Sequence, residues 1–177
     1  MNAFRILATL STISFREAVW LFPAATTLHF LEEAPRFAKW AQAHASPLYT
    51  RSRWRKIHVI GMAYVIAFTS ALVLFPNRHA TFLFFALCFA QIFFNTLFHL
   101  GATLFFRSYC PGLVTALLLY PVLFWYLSSL AHRRGLLSLG AGVVACITAA
   151  VIHACDVATS VFWVKLPWES KRAWWGA

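Results

Sequence analysis

Residues 57–106 read IHVIGMAYVIAFTSALVLFPNRHATFLFFALCFAQIFFNTLFHLGATLFF, and the reading of this stretch decides the fold. It holds two apolar runs, 57–76 and 80–106, parted by Asn77, Arg78 and His79. Each is long enough to cross roughly 30 Å of hydrocarbon, for which a helix needs about 20 residues. Neither shows the roughly ten-residue alternation of a barrel strand, and a helix satisfies its own backbone polar groups in lipid, so both are expected to be α-helical. Working outward, 111–131 and 136–164 repeat the pattern, and 15–34 makes a fifth, less apolar segment. The expected fold is all-α: one integral membrane domain over residues 1–177, a polytopic bundle of five transmembrane helices. Composition agrees, because 61% hydrophobic and 11% charged residues lie far from the make-up of a soluble domain.

A net charge of +10 raises the question of nucleic acid, but the basic residues sort by loop. Arg36, Lys39, Arg51, Arg53, Arg55 and Lys56 fall between the first two helices, Arg107 between the third and fourth, and Lys165, Lys171 and Arg172 after the fifth. Arg5, Arg16, Arg78, Arg133 and Arg134 fall on the other side. The positive-inside rule then places the N-terminus outside and the C-terminus in the cytoplasm. The surplus charge binds anionic membrane lipids, and no nucleic-acid partner is expected. Residues 1–14 lack a small-residue cleavage site and are read as an interfacial lead-in rather than a signal peptide. Trp40, Trp54, Trp163, Trp168, Trp174 and Trp175 cluster beyond helix ends, where indoles favour the headgroup region, and are expected to be anchors. Cys88, Cys110, Cys146 and Cys155 show no CxxC spacing and are expected to be buried small hydrophobes. His44, His58, His79 and His132 fall in loops or at helix ends and receive no role.

The ionisable residues inside the apolar segments need a different account. HFLEE at 29–33 ends the first segment, and i, i+3 and i+4 share a helix face, so His29, Glu32 and Glu33 are expected to point one way. In the third helix Gln91, Asn95, His99 and Thr103 recur every four residues, and the fifth carries His153 and Asp156 with Ser160 a turn later. Helices one, three and five run in one direction with these groups in the later half. At 1.5 Å per residue, Asn95 and Asp156 lie roughly 14 to 18 Å from the charged borders at Arg107 and Lys165. A central acidic residue costs about 2.5 to 3.5 kcal/mol, so three unpaired carboxylates would cost roughly 8 to 10 kcal/mol, comparable to a domain's whole stability. They are expected to meet in one interior chamber on the cytoplasmic half, where each is neutral, hydrogen-bonded or neutralised by a cation.

HFLEE at 29–33, NTLFH at 95–99 and YCPG at 109–112 together resemble the HxxEE, NxxxH and YxPG signatures of the HXXEE domain family, bacterial integral membrane proteins. The resemblance spans about residues 20–160. It implies an inner-membrane location and an enzymatic role without naming a reaction. It singles out His29, Glu32, Glu33, Asn95, His99, Tyr109, Pro111 and Gly112; His153 and Asp156 rest on depth and helix face alone. Within YCPG, Pro111 can open a helix and Gly112 permits close backbone approach, so the motif reads as a turn into the fourth helix.

Two enzymatic readings follow. In the first, His29 with Glu32 and His153 with Asp156 are histidine and carboxylate pairs at i, i+3, the reverse order of the Glu-x-x-His ligands that helix bundles use for paired metals. His99 and Glu33 complete a nitrogen and oxygen set suited to a divalent Fe, Mn or Zn ion. In the second, metal-free reading, a glutamic acid kept protonated by apolar surroundings donates to a lipid alkene or ether while a neighbouring carboxylate or histidine stabilises the cation. Either would take a lipophilic small molecule from the bilayer through His29, Glu32, Glu33, Asn95, His99, Tyr109 and Asp156. The alternative, a proton-coupled or ion-binding transporter, uses the same groups as a relay, but no internal repeat or half-helix break accompanies them.

Overall fold

A computed structural model of the chain describes residues 13–162, and every regular element among them is helical. The lead-in as far as residue 12, Trp163, Trp168, Trp174 and Trp175, and the basic Lys165, Lys171 and Arg172 lie outside the described residues. The helices are α1 (Phe15–Ala18), α2 (Leu21–Glu33), α3 (Phe37–His44), α4 (Arg51–Leu74), α5 (Arg78–Phe106), α6 (Leu113–Arg133) and α7 (Leu139–Val161). Four of them, α4 to α7, are long and apolar enough to cross a membrane. Val59, Leu74, Leu104, Phe105, Leu118 and Trp125 are exposed on their outer faces, an apolar surface that lipid covers at no cost and water does not.

Side-chain caps set the helix starts. Thr50 accepts from the Arg53 N–H and opens α4 at Arg51, ahead of the expected start at 57, because the polar RSRWRK turn is helical without being apolar. Asn77 and Ser138 cap α5 and α7 in the same way. Arg107 ends α5 in the left-handed region, at φ 50°.

The segment expected as a fifth span, 15–34, is divided at residues 19 and 20 into α1 and α2. Pro23 is the cause. It has no N–H for the Val19 carbonyl and its ring crowds that oxygen, which takes the Phe22 N–H instead, at 3.1 Å. Neither piece alone has the length of a crossing. They nevertheless follow each other along the bundle with one face packed into it: Phe15, Val19, Phe22 and Ala25 share one core with Val65 of α4, Phe84 and Ile92 of α5, and Tyr120 and Leu127 of α6. One face of this segment is buried in that core, where polar Thr26, His29 and Glu33 lower its hydropathy, while Trp20, Leu21, Leu28 and Leu31 on the other face are exposed.

Helix α5 is the hub, packed against α4, α6 and α7. Its π-helical turn Phe89–Phe94 ends at Asn95, whose N–H reaches the Ala90 carbonyl five residues back. Such a turn re-aims the residues that follow it, here Asn95 and His99. Helix α7 leans along α5 and is tied to α4 at one end, where the Arg53 guanidinium donates to the carbonyls of Thr159 and Ser160, each at 3.1 Å.

Candidate metal centre

Glu33 closes α2 and is 3% exposed, and four side chains converge on its two oxygens. His29, one turn earlier, brings Nε2 to 3.3 Å from Oε1, and His99 of α5 brings its Nε2 to 3.1 Å from the same atom. On the other oxygen, the Trp54 indole donates at 3.1 Å and His58 Nε2 lies at 2.5 Å. Both come from the first turns of α4, one turn apart. Two expectations are corrected here. Trp54 and Trp40 are buried rather than headgroup anchors, and His58, given no role above, is a direct partner of Glu33. The missed signal was topological: α2 and α4 are antiparallel, so the first residues of α4 lie level with the last of α2.

The hydrogen bonds restrict where protons sit. Thr115 Oγ1 donates to Glu32 Oε2 at 2.6 Å, so it can only accept from His29 Nδ1, at 2.8 Å. His29 Nε2 is therefore a bare lone pair, which accepts from Asn95 Nδ2 at 2.9 Å. His99 Nδ1 lies 3.3 Å from Cys110 Sγ, and burial, then the charges of Glu33 and Glu32, push that thiol well up so that it stays protonated. His99 Nε2 is a second lone pair when Nδ1–H points at the sulfur and the thiol proton at the Pro111 carbonyl, and carries the ring proton when the thiol donates to Nδ1; it is buried and makes no hydrogen bond. His58 Nδ1 faces the Trp54 carbonyl at 2.8 Å and must donate to it. Between His58 Nε2 and Glu33 Oε2 there is then one shared proton, as imidazolium and carboxylate or as imidazole and carboxylic acid.

With the first of these tautomers, two lone pairs and a carboxylate oxygen face one another in the interior, all within 4.8 Å. A tetrahedral ion with bonds of about 2.0 to 2.1 Å holds neighbouring ligand atoms ~3.3 Å apart, close to the two separations seen here, and two histidines with one glutamate is a set that catalytic zinc uses. The outer partners fit as well. Each imidazole has its second nitrogen held, by Thr115 or Cys110, which fixes ring orientation as metal ligands require. His29, Glu33 and His99 could hold a divalent ion.

Glu32, expected among the ligands, faces elsewhere. Successive helical residues are about 100° apart, so Glu32 and Glu33 look at different neighbours. Glu32 accepts from the N–H groups of Gly112 at 3.1 Å, Val114 at 3.0 Å and Thr115 at 2.8 Å, from the Thr115 hydroxyl and from the Tyr109 hydroxyl. It fills the positive N-terminus of α6 and ties that helix to α2. Burial, and then the bond to Glu32, raise Tyr109 to about 12, so its hydroxyl remains a donor at any physiological pH. Thr115 joins this anchor to the centre and was missed in the sequence, although it stands three residues beyond Gly112 in the turn that YCPG opens. A Thr115→Val variant is expected to weaken metal affinity about 10- to 100-fold, and Thr115→Ser to restore it, in competition with a chelator.

A cavity of about 430 Å³ adjoins the centre. His29, Glu33, His58 and Asn95 form one part of its wall, and Gln91 of α5 with His153 and Asp156 of α7 another. His153 packs by the rings of Phe94 and Phe98, at 6.3 and 6.4 Å, and its buried Nε2 has no partner. The chamber therefore gathers His29, Glu33, Asn95, His153 and Asp156. His153 and Asp156 stand outside the group of three, while His99 lies behind the wall and Glu32 and Tyr109 beyond it. The cysteines divide: Cys88 and Cys110 are buried, Cys146 is half-buried and Cys155 exposed.

A family model described as a protein of unknown function with HXXEE motif matches residues 20–126. The match ends within α6, so His153 and Asp156 lie past it. No curated protein and no solved structure matches the chain.

Proposed function

Given that the chain belongs to the HXXEE family, we propose that it is an intramembrane enzyme in which His29, Glu33 and His99 hold one divalent Fe, Mn or Zn ion and a lipophilic substrate occupies the adjoining cavity. One observation carries this reading: two buried imidazole nitrogens aimed at one oxygen of a buried carboxylate, at 3.3 and 3.1 Å. His99 Nε2 makes no hydrogen bond; leaving such an atom unsatisfied costs roughly 1 to 3 kcal/mol, and a cation removes that cost. When bound, the ion would supply Lewis acidity, polarising a carbonyl or lowering the pKa of water. The protein's part is to hold Glu33 by the Trp54 indole and His58, to fix both imidazoles through Thr115 and Cys110, and to offer the Asn95 amide at the same point. In this reading the chain lies in a bacterial inner membrane with its N-terminus outside. Residues 15–33, about 28 Å of helix at 1.5 Å per residue, make a fifth crossing with one face packed on the others.

A metal-free acid–base enzyme is the second reading, favoured by the proton that His58 and Glu33 share. Elemental analysis of the purified protein separates the two: about one equivalent of metal supports the first, and turnover by metal-free protein overturns it. Flux of protons or ions into liposomes without chemical turnover would point instead to transport.

A further inference from the structure

The cavity has a side opening. Helices α4 and α7 both rest on α5, and the Arg53 bonds to Thr159 and Ser160 join them at one end. Farther along α4, Ile60, Gly61 and Tyr64 face Ile152 of α7 across the cavity, and Ile60, Tyr64 and Ile152 are 57%, 56% and 53% exposed. Large apolar side chains that line an interior cavity and are also open to the outside, midway along helices able to span a bilayer, mark a slot toward lipid rather than water. Gly61 leaves room at this slot, since an added Cβ would meet only the Phe30 ring, at 3.9 Å.

The lining also selects a kind of ligand. Its ionisable groups are Glu33 and His29 of α2, His58 and two tyrosines from α4 and the loop before it, and His153 and Asp156 of α7. Among the described residues no lysine or arginine lines it. Glu33 is buried, with Oε2 held by Trp54 and His58 and Oε1 turned toward His29 and His99, whereas Asp156 is exposed. An anionic phosphate head resting at Asp156 would face that carboxylate with no lysine or arginine in the lining to offset it. A head with N–H or O–H donors finds an acceptor in Asp156 and another in the Gln91 carbonyl.

We propose that the cavity admits, sideways from the bilayer through the slot between α4 and α7, an amphiphile whose amine- or hydroxyl-bearing head rests on Asp156 and Gln91 while its chain remains among the lipids. The volume agrees, since about 430 Å³ is the size of a pocket for a drug-sized group rather than for a whole two-chain lipid. This assignment rests on the cavity serving as the substrate site of the enzyme proposed above, with the substrate's reacting end toward His29 and Glu33.

The test is native mass spectrometry of protein released from detergent, offered dodecylamine, dodecanol or dodecyl phosphate, with the protein's own mass reporting metal in the same spectra. The amine and alcohol are expected to bind at least about 10-fold better than the phosphate. Gly61→Trp is expected to cut that binding about 10-fold with metal retained, Gly61→Ala to leave it unchanged, and Asp156→Asn to remove most of the discrimination of amine against phosphate. If Gly61→Trp does not fold, Ile152→Trp closes the slot from α7. Equal binding of the phosphate, or a folded slot variant that binds the amine as wild type does, overturns the assignment. Absence of metal with these amphiphile results intact overturns only the metal reading.

Discussion

Purified protein carrying His99→Ala is expected to lose its metal, falling from about one equivalent to below about 0.1 by elemental analysis, and any turnover with it. His99 is fully buried, and its Nε2 is the one ring nitrogen at the centre with no other partner. Removing an outer partner of a metal ligand already weakens affinity about 10- to 100-fold, so deleting one of three ligands must cost more. Glu33→Gln should have the same outcome for a different reason: the shape is kept, but the anion that balances the ion and accepts from Trp54 and His58 is gone. His153→Ala and Asp156→Asn are the informative contrasts. Both residues line the cavity outside the group of three, so both variants should keep the metal. The wider ligand set, with paired histidine and carboxylate residues on two helices, predicts loss in all four. Metal retained in His99→Ala would remove the proposed centre altogether. Bound ion should also stabilise the fold, by about 2.7 kcal/mol at a free concentration 100 times Kd, so a chelator should lower the thermal midpoint of wild type and not of His99→Ala.

The long apolar runs were legible because hydropathy responds to lipid contact, which is what α4 to α7 provide on their outer faces. The same property hid the rest. The segment 15–33 turns one face into the bundle, where buried Thr26, His29 and Glu33 lower its hydropathy, and its break at Val19 and Trp20 follows from one proline that the sequence shows without saying whether neighbours absorb the kink. Pairing His29, Glu33, Asn95 and His99 needed only helical spacing and a common direction. Separating Glu32 from Glu33 needed the N-terminus of α6, a partner 80 residues away that spacing along α2 cannot reveal. His58 was passed over because a polar first turn reads as loop; once Thr50 caps α4, that turn is helix and faces the end of α2.

Gly112→Ala is expected to lower the thermal midpoint by about 5 to 20 °C and to disable metal binding even in the fraction that folds. Gly112 sits at φ 102°, a conformation that side chains rarely adopt, and its N–H donates to Glu32. A Cβ built there would stand 2.6 Å from His99 Cε1 and 2.7 Å from His29 Cε1. These are rings fixed by Cys110 and Thr115, not the yielding ends of flexible side chains, so the backbone or both imidazoles must move. Backbone strain of about 1 to 3 kcal/mol and overpacking of a similar size together cost about 2 to 6 kcal/mol. For a chain of this length each kcal/mol is worth about 2 to 4 °C. Gly135→Ala separates the two contributions. Gly135 is also left-handed, at φ 66°, but an added Cβ there meets nothing within 4 Å, so this variant suffers the strain without the clash. It should lose only the smaller part of the midpoint and keep its metal. Should Gly112→Ala bind metal as well as Gly135→Ala does, the glycine of YCPG serves only the turn, and the two histidines do not depend on its closeness.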